Sequence, residues 1–302
     1  MGRVKGLVMI ISGAALWGLS GPMMEWTLEN SGMSVSFLLT VRLLVAGLLL
    51  IAYLRLKGKQ VMRPWRQKVW SRQMVIFGVA GMLGVQFAFT SAISESNAVL
   101  ATLFQFLSPI YVILFVSIRQ RFVPPFAQIA GMIVTLGGLF LLLTNGSLSG
   151  FSMTPAALFW GVAVGFAFTF YTLYPVRLMQ EWGVLLSIGW AMVVGGAALF
   201  ITNPLRLFRE MQFLMDWQIA GMLTGIIFVG TLAFLLFLGS MKYITPIETS
   251  ILSSFEPLTA MIVSVVWFGA MLGAWQLTGA IVMLLGVTGI SVAGGKSKED
   301  PA

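Results

Sequence analysis

Ten apolar stretches, each about 20 residues long, follow one another along this chain with only short polar connections between them. They cover about 7–25, 34–54, 73–93, 97–117, 124–144, 154–174, 184–202, 218–239, 246–268 and 274–293. Roughly 20 apolar residues in a helix cross the ~30 Å hydrocarbon core of a bilayer. Inside lipid the backbone must satisfy its own polar groups, and a helix does so within one segment. The pattern predicts an all-α polytopic membrane protein with ten transmembrane helices. Of the 302 residues, 58% are apolar and only 9% charged, against about 25% charged in a soluble domain. The longest connection, Arg55 to Arg72, leaves no room for a soluble domain. The first stretch is too long for a signal-peptide core and has no small-residue cleavage site after it, so it is expected to remain as the first helix.

What is missing narrows the chemistry. The chain has no histidine and no cysteine, which excludes histidine-ligated zinc, thiolate clusters and Ser-His or cysteine nucleophiles. Its two aspartates, Asp216 and Asp300, both lie outside the apolar stretches, whereas an intramembrane aspartyl protease needs two buried ones. No Walker-type phosphate loop is present, so ATP is not a direct energy source. Neither a cofactor nor a metal is expected, and an enzyme is not.

Lysine and arginine set the expected orientation. With the N-terminus inside, cytoplasmic segments collect fifteen of the eighteen basic residues, and only Arg206 and Arg209 fall outside while Arg42 lies within a helix. That asymmetry predicts that both termini are cytoplasmic. The net charge of +8 is then a topology signal and an attraction to anionic lipid headgroups at the basic loop 55–72. It is not read as a nucleic-acid patch.

An internal repeat divides the chain. FAQIAGMIVTLGGL at 126–139 aligns with AWQLTGAIVMLLGV at 274–287 at a constant offset of 148, and Pro109/Pro257 and Phe89/Phe237 keep that offset. Residues 1–150 and 151–295 are thus expected to be two five-helix halves, followed by a cytoplasmic tail at 296–302. An odd number of helices per half sends the second half into the membrane from the opposite side. Such inverted repeats are typical of secondary transporters, whose central site opens alternately to either face.

The same stretches resemble a known family. A Pro-containing fourth helix (SPIYVILF) followed by Gln-x-x-Gly-x-x-x-x-x-x-Gly in the fifth, repeated as EPLTAMIV with QLTGAIVMLLG, is similar to the EamA branch of the drug/metabolite transporter superfamily. The resemblance covers the whole chain and implies a ten-helix carrier of small metabolites in the bacterial plasma (inner) membrane, many members exporting amino acids or related compounds. Where the family often carries a glutamate before each motif glutamine, this chain has Phe122 and Ala270. The resemblance makes export of an amino acid the leading expectation. Import of a sugar or quaternary amine, a channel and a lipid-handling protein stay open as alternatives, and the sequence does not give an oligomeric state.

Ionisable residues inside spans are costly and count as functional candidates. Glu256 lies roughly 15 Å into the ninth segment, next to Pro257, which frees a backbone carbonyl. It is a candidate for binding a substrate ammonium or carrying a coupling proton, with satisfaction by Ser253 or Thr259 as the structural alternative. Arg42 is expected to snorkel outward, or else to meet a substrate carboxylate or Glu95. Glu248, in the first turn of its helix, is read as a cap. Gln86, Gln105, Ser108 and Ser253 fall at mid-membrane, with Gln105/Ser253 and Ser108/Glu256 as repeat mates. The aromatic residues Trp17, Tyr111, Trp160, Tyr171 and Trp190 are candidates for a cavity lining. Gly18, Gly21 and Pro22 are expected to break the first helix, Pro109 and Pro257 to interrupt the fourth and ninth, and Gly78, Gly81 and Gly84 to form one small-residue face.

Overall fold

The computed structural model describes residues 2–95, 98–121, 123–147, 154–202, 204–268 and 271–296. Phe122, Ala270, the junction between the two repeats and most of the tail lie outside the described residues. Among those described there are helices and connections but no strand.

The first half contains α1 (Gly2–Ser31), α2 (Val35–Leu56), α3 (Lys68–Ile76), a π-helical turn (Phe77–Leu83), α4 (Gly84–Glu95), α5 (Ala98–Gln105), α6 (Ser108–Gln120) and α7 (Phe126–Thr144). The second contains α8 (Pro155–Leu173), α9 (Val176–Trp182), α10 (Val184–Thr202), α11 (Pro204–Glu210), α12 (Trp217–Ser240), α13 (Pro246–Leu252), α14 (Phe255–Phe268) and α15 (Ala274–Lys296). Among the described residues, seven helical spans are long and apolar enough to cross a membrane: Gly2–Leu28, Val35–Leu56, Lys68–Ala92, Ala101–Gln120, Pro155–Trp182, Val184–Thr202 and Trp217–Ser240. Ile129–Thr144 and Ala274–Gly286 are shorter apolar helices. The expected ninth segment is two helices, α13 and α14, joined by a turn at Ser253–Ser254.

Helix starts follow local chemistry. Ser34 caps α2 by accepting from the Phe37 N–H, Thr154 caps α8, and Asp216 accepts from the Gln218 and Ile219 N–H groups at the start of α12. These are first-turn donors with no partner inside the helix. Thr245 and Glu248 form a reciprocal capping box at α13, with Pro246 at the first helical position. Glu248 is thus the cap that its position predicts, and it also pairs with Arg3 at 3.0 Å.

Three expectations about helix geometry are corrected or refined. The first helix does not break: α1 runs unbroken through Pro22. A proline removes one backbone bond, and the flanking turns are held by packing on α12 and α14. The fourth and ninth segments are interrupted within one residue of equivalent places in the repeat, Phe106–Leu107 and Ser253–Ser254, a few residues before Pro109 and Pro257. The glycines of the third segment do not share one face. The π turn widens the helix there. Gly78 packs on Val194 and Ala191 of α10, while Gly81 sits under the ring of Phe77.

Packing partners come in matched pairs. α1 lies along α12 and α14, and the corresponding helix of the second half, α8, lies along α4 and α5–α6. α2 packs on α10, and α7 on α15. The motif glycines explain the last contact. A Cβ on Gly138 would strike the α15 backbone at Gly279 and Met283, one on Gly279 would strike Gly138 and Leu142, and one on Gly286 would strike Thr135. Small residues at these positions let two backbones touch, as packing inside lipid favours. The motif glutamine of α15, Gln276, accepts a bond from the Gly273 N–H at 2.9 Å and closes the start of that helix.

Candidate functional site

Helices from both halves line a partly open cavity of about 100 Å³. Trp17, Ser20, Gly21 and Met24 of α1, Arg42 of α2, Val85, Gln86, Phe89 and Thr90 of α4 and Gln105 of α5 form the first-half wall. Phe168 and Tyr171 of α8, Phe234 of α12 and Glu256 of α14 complete it. The π turn just before Val85 shifts the phase of α4 and contributes to aiming Gln86 and Thr90 inward.

The floor is aromatic. Trp17 meets Phe168, Tyr171, Phe234 and Phe237 at centroid distances of 4.9 to 6.4 Å, mostly edge to face or tilted. Such pairs add about 0.5–1.5 kcal/mol each beyond burial. Trp17, Phe168, Tyr171 and Phe234 of this cluster line the cavity.

Two ionisable side chains face this space. Arg42 is buried, its Nη1 donates to Met24 Sδ at 3.2 Å, and its guanidinium lies 5.5 Å from the Phe234 ring centre. Neither contact carries negative charge, and its Nε has no hydrogen-bond partner. The expected outward reach is therefore corrected: Arg42 turns into the cavity, while Glu95 is exposed and makes no ion pair with it. Room for the guanidinium comes from Gly230 of α12, where any Cβ would collide with Arg42 Nη2. Glu256 is held where α13 gives way to α14, and Gln105 Nε2 donates to its Oε2 at 3.4 Å. Gln86 Nε2 donates to the Met82 carbonyl at 2.8 Å, which leaves its Oε1 unpartnered, as is the Tyr171 hydroxyl. Buried polar atoms without partners are rare and ask for an explanation. Here three of them gather around one cavity.

The structure brings together Glu256, Gln105, Gln86, Trp17, Tyr171, Arg42 and Gly21. It does not bring the others. Ser253 is buried and donates to the Ser250 carbonyl, and Ser108 is buried beside Thr169. Tyr111 stacks on Phe166, Trp160 packs on Phe87 and Phe159, and Trp190 donates to the Val61 carbonyl. Phe89, Phe168, Phe234 and Gly230 did not stand out as site residues in the sequence. Phe234 carried a signal, since it sits 148 residues after Gln86.

A bundle of apolar helices around a mostly apolar cavity that carries a few convergent polar groups defines a polytopic membrane protein with a candidate solute site. The model of the EamA-like transporter family matches residues 4–144 and again 155–292. The chain is 34% identical over 289 residues, 95% of each chain, to the uncharacterized inner membrane transporter YicL of Salmonella typhimurium. A crystal structure with 19% sequence identity superposes with a TM-score of 0.73, covering 97% of this chain and 99% of its own. The chain belongs to the EamA-like transporter family. It is a membrane transporter, multi-pass in the inner membrane.

Proposed function

We propose that the protein is a secondary active transporter that exports a small zwitterion, an amino acid or a close relative, by alternating access. The observation that carries this reading is a pair of ionisable groups lining one cavity, the buried Arg42 on α2 and the half-buried Glu256 on α14, with no ion pair between them. Arg42 offers an unpaired, desolvated donor to a carboxylate, and charge-assisted bonds of this kind are the strong ones. Glu256, supported by Gln105, takes the ammonium. The aromatic floor and Phe89 accept a small apolar side chain. A quaternary amine fits this arrangement less well, because Arg42 would repel it.

The halves 1–150 and 151–295 act as inverted repeats, with both termini cytoplasmic. The matched helix pairings, the double match of the family model and the lysine and arginine distribution support this. Substrate alternates across the membrane as the halves exchange shapes, and the energy comes from an ion or solute gradient. Glu256 is the proposed proton carrier, since the chain has no histidine and Glu256 shares the substrate's cavity.

Counterflow tests the reading. Purified protein in liposomes preloaded with an unlabelled amino-acid mixture should accumulate labelled amino acids, with mass spectrometry identifying which exchange. Folded protein that exchanges sugars or quaternary amines but no zwitterion would reject it.

A further inference from the structure

Residues 55–72 carry seven lysines and arginines and no carboxylate. In the structure this stretch folds back onto the start of α10. Val61 and Pro64 are buried, Trp190 donates to the Val61 carbonyl at 2.9 Å, and Trp65 meets the Trp190 ring at 5.1 Å. The fold-back brings Arg63 to α9, where its guanidinium lies 6.0 Å from the Trp182 ring. Arg177 of α9 reaches the other way, 5.8 Å from the Trp70 ring of α3. The two indoles meet edge to face at 6.0 Å and 84°. Two arginines from distant parts of the chain are thus carried on one interlocked tryptophan pair.

Neither arginine has an ion pair among the described residues. Glu181 is exposed and is the sole carboxylate in α9. A guanidinium on an aromatic face keeps its planar edge of N–H donors free, and that edge matches phosphate oxygens. Leu56, Met62 and Val69 are exposed at the same end of the bundle, at 88%, 55% and 65%. Apolar side chains beside cations suit a ligand that is itself half apolar.

We propose that Arg63 and Arg177, held on the Trp70–Trp182 pair, bind the phosphodiester headgroup of an anionic phospholipid, with Leu56 and Val69 against its acyl chains. A basic pocket between transmembrane helices is a known kind of headgroup site. This differs from the general attraction of a basic loop to an anionic surface, which any lysine there supplies equally. It rests on membrane residence and not on the identity of the transported solute.

Native mass spectrometry of the full chain in detergent tests the site. The protein is incubated with mixed micelles containing equal amounts of phosphatidylglycerol and phosphatidylcholine. Wild type is expected to retain phosphatidylglycerol preferentially. A charge-assisted hydrogen bond to phosphate contributes about tenfold or more in affinity, so R63Q/R177Q should lose roughly 100-fold. K59Q/K68Q removes the same charge from the same stretch but no tryptophan-held group. At ~0.15 M salt exposed charges are screened within about 8 Å, and this variant should stay close to wild type. R63K/R177K keeps both charges without the planar fork and should retain less lipid than wild type.

Equal losses in the two glutamine doubles, or full retention by R63K/R177K, would overturn the proposal in favour of diffuse charge. Displacement of the lipid by glycerol phosphate at matched concentration would overturn it in favour of a soluble anion. Should R63Q/R177Q fail to fold, the wild-type preference and the lysine pair decide the matter, and equal retention of both lipids by wild type refutes the site.

Discussion

Replacing Arg42 with methionine should stabilise the protein and disable it at once. Arg42 is buried among Met24, Phe234, Gly230 and Tyr171, with no carboxylate partner among the described residues. An arginine near the centre of a transmembrane helix costs about 2.5–3.5 kcal/mol on insertion scales. Its favourable contacts, the Phe234 ring at 5.5 Å and the weak acceptor Met24 Sδ at 3.2 Å, return about 1 kcal/mol. Methionine has a similar reach and no charge, and apolar replacement of buried charge is often neutral or stabilising. The balance predicts a gain of roughly 2 kcal/mol, which at about 2–4 °C per kcal/mol raises the unfolding midpoint by ~4–8 °C. Transport of a carboxylated solute should fall, because one charge-assisted hydrogen bond is worth about 1.5–3 kcal/mol, or roughly 10- to 150-fold in apparent affinity. The assay is a thermal scan of the purified variant in detergent beside counterflow of the same preparation. A midpoint that drops by several degrees would refute the reasoning, because it would mean that Arg42 holds the fold together through a partner of its own.

Gly230→Ala should reproduce part of the transport defect without touching the charge, since its Cβ displaces the guanidinium. Overpacking costs about 1–3 kcal/mol, and unchanged substrate affinity would contradict the placement of Arg42. At Gly21 a Cβ meets nothing within 4 Å, so alanine should be tolerated and leucine should fill the cavity, with counterflow falling as side-chain volume rises. Equal loss for both would favour a hinge. Glu256→Gln should stop accumulation driven by a pH gradient while leaving exchange measurable, and full pH-driven accumulation would reject Glu256 as the proton carrier. Outside the membrane, burial pushes the Glu210 carboxyl up, but hydrogen bonds from Ser34 and Arg206 outweigh it and hold Glu210 below the usual carboxylate range. Its contribution is complete above the ordinary pKa of 4.5 and is lost as pH falls through the lowered value. The protection of the amides at residues 34–37, taken relative to intrinsic exchange at each pH, should fall with acidification in wild type and vary less with pH in Glu210→Gln.

The sequence makes the helical, membrane-spanning class legible because each span must carry its own apolar length, which no tertiary contact can supply. Helix starts are legible for the same local reason, and the reciprocal cap of Thr245 and Glu248 is an example. The interruptions before Pro109 and Pro257 follow from proline chemistry and from the repeat. Pro22 shows the limit of that rule, since packing carries α1 through it. Side-chain direction is where local reasoning stops. Nothing near Arg42 in the chain says that α12 supplies a glycine opposite it, or that Tyr111 and Trp160 turn to Phe166 and Phe87 instead of the cavity. Helical periodicity is weak in segments that are apolar all round, so the face that meets the chamber is set by partners far away in sequence. The π turn at Phe77–Leu83 adds a phase shift that glycine spacing alone does not reveal.

The central claim is that one cavity reads both ends of a zwitterion. Competition in the counterflow assay tests it most directly, using the best transported amino acid, its methyl ester and its N-acetyl derivative as unlabelled competitors. The ester lacks the negative charge that Arg42 would meet, and the N-acetyl compound lacks the positive charge that Glu256 would meet. Both should compete at least tenfold more weakly than the parent, the loss of one charged contact being about 1.5–3 kcal/mol. An ester that competes as well as the parent would contradict the role of Arg42, and with it the account of the site.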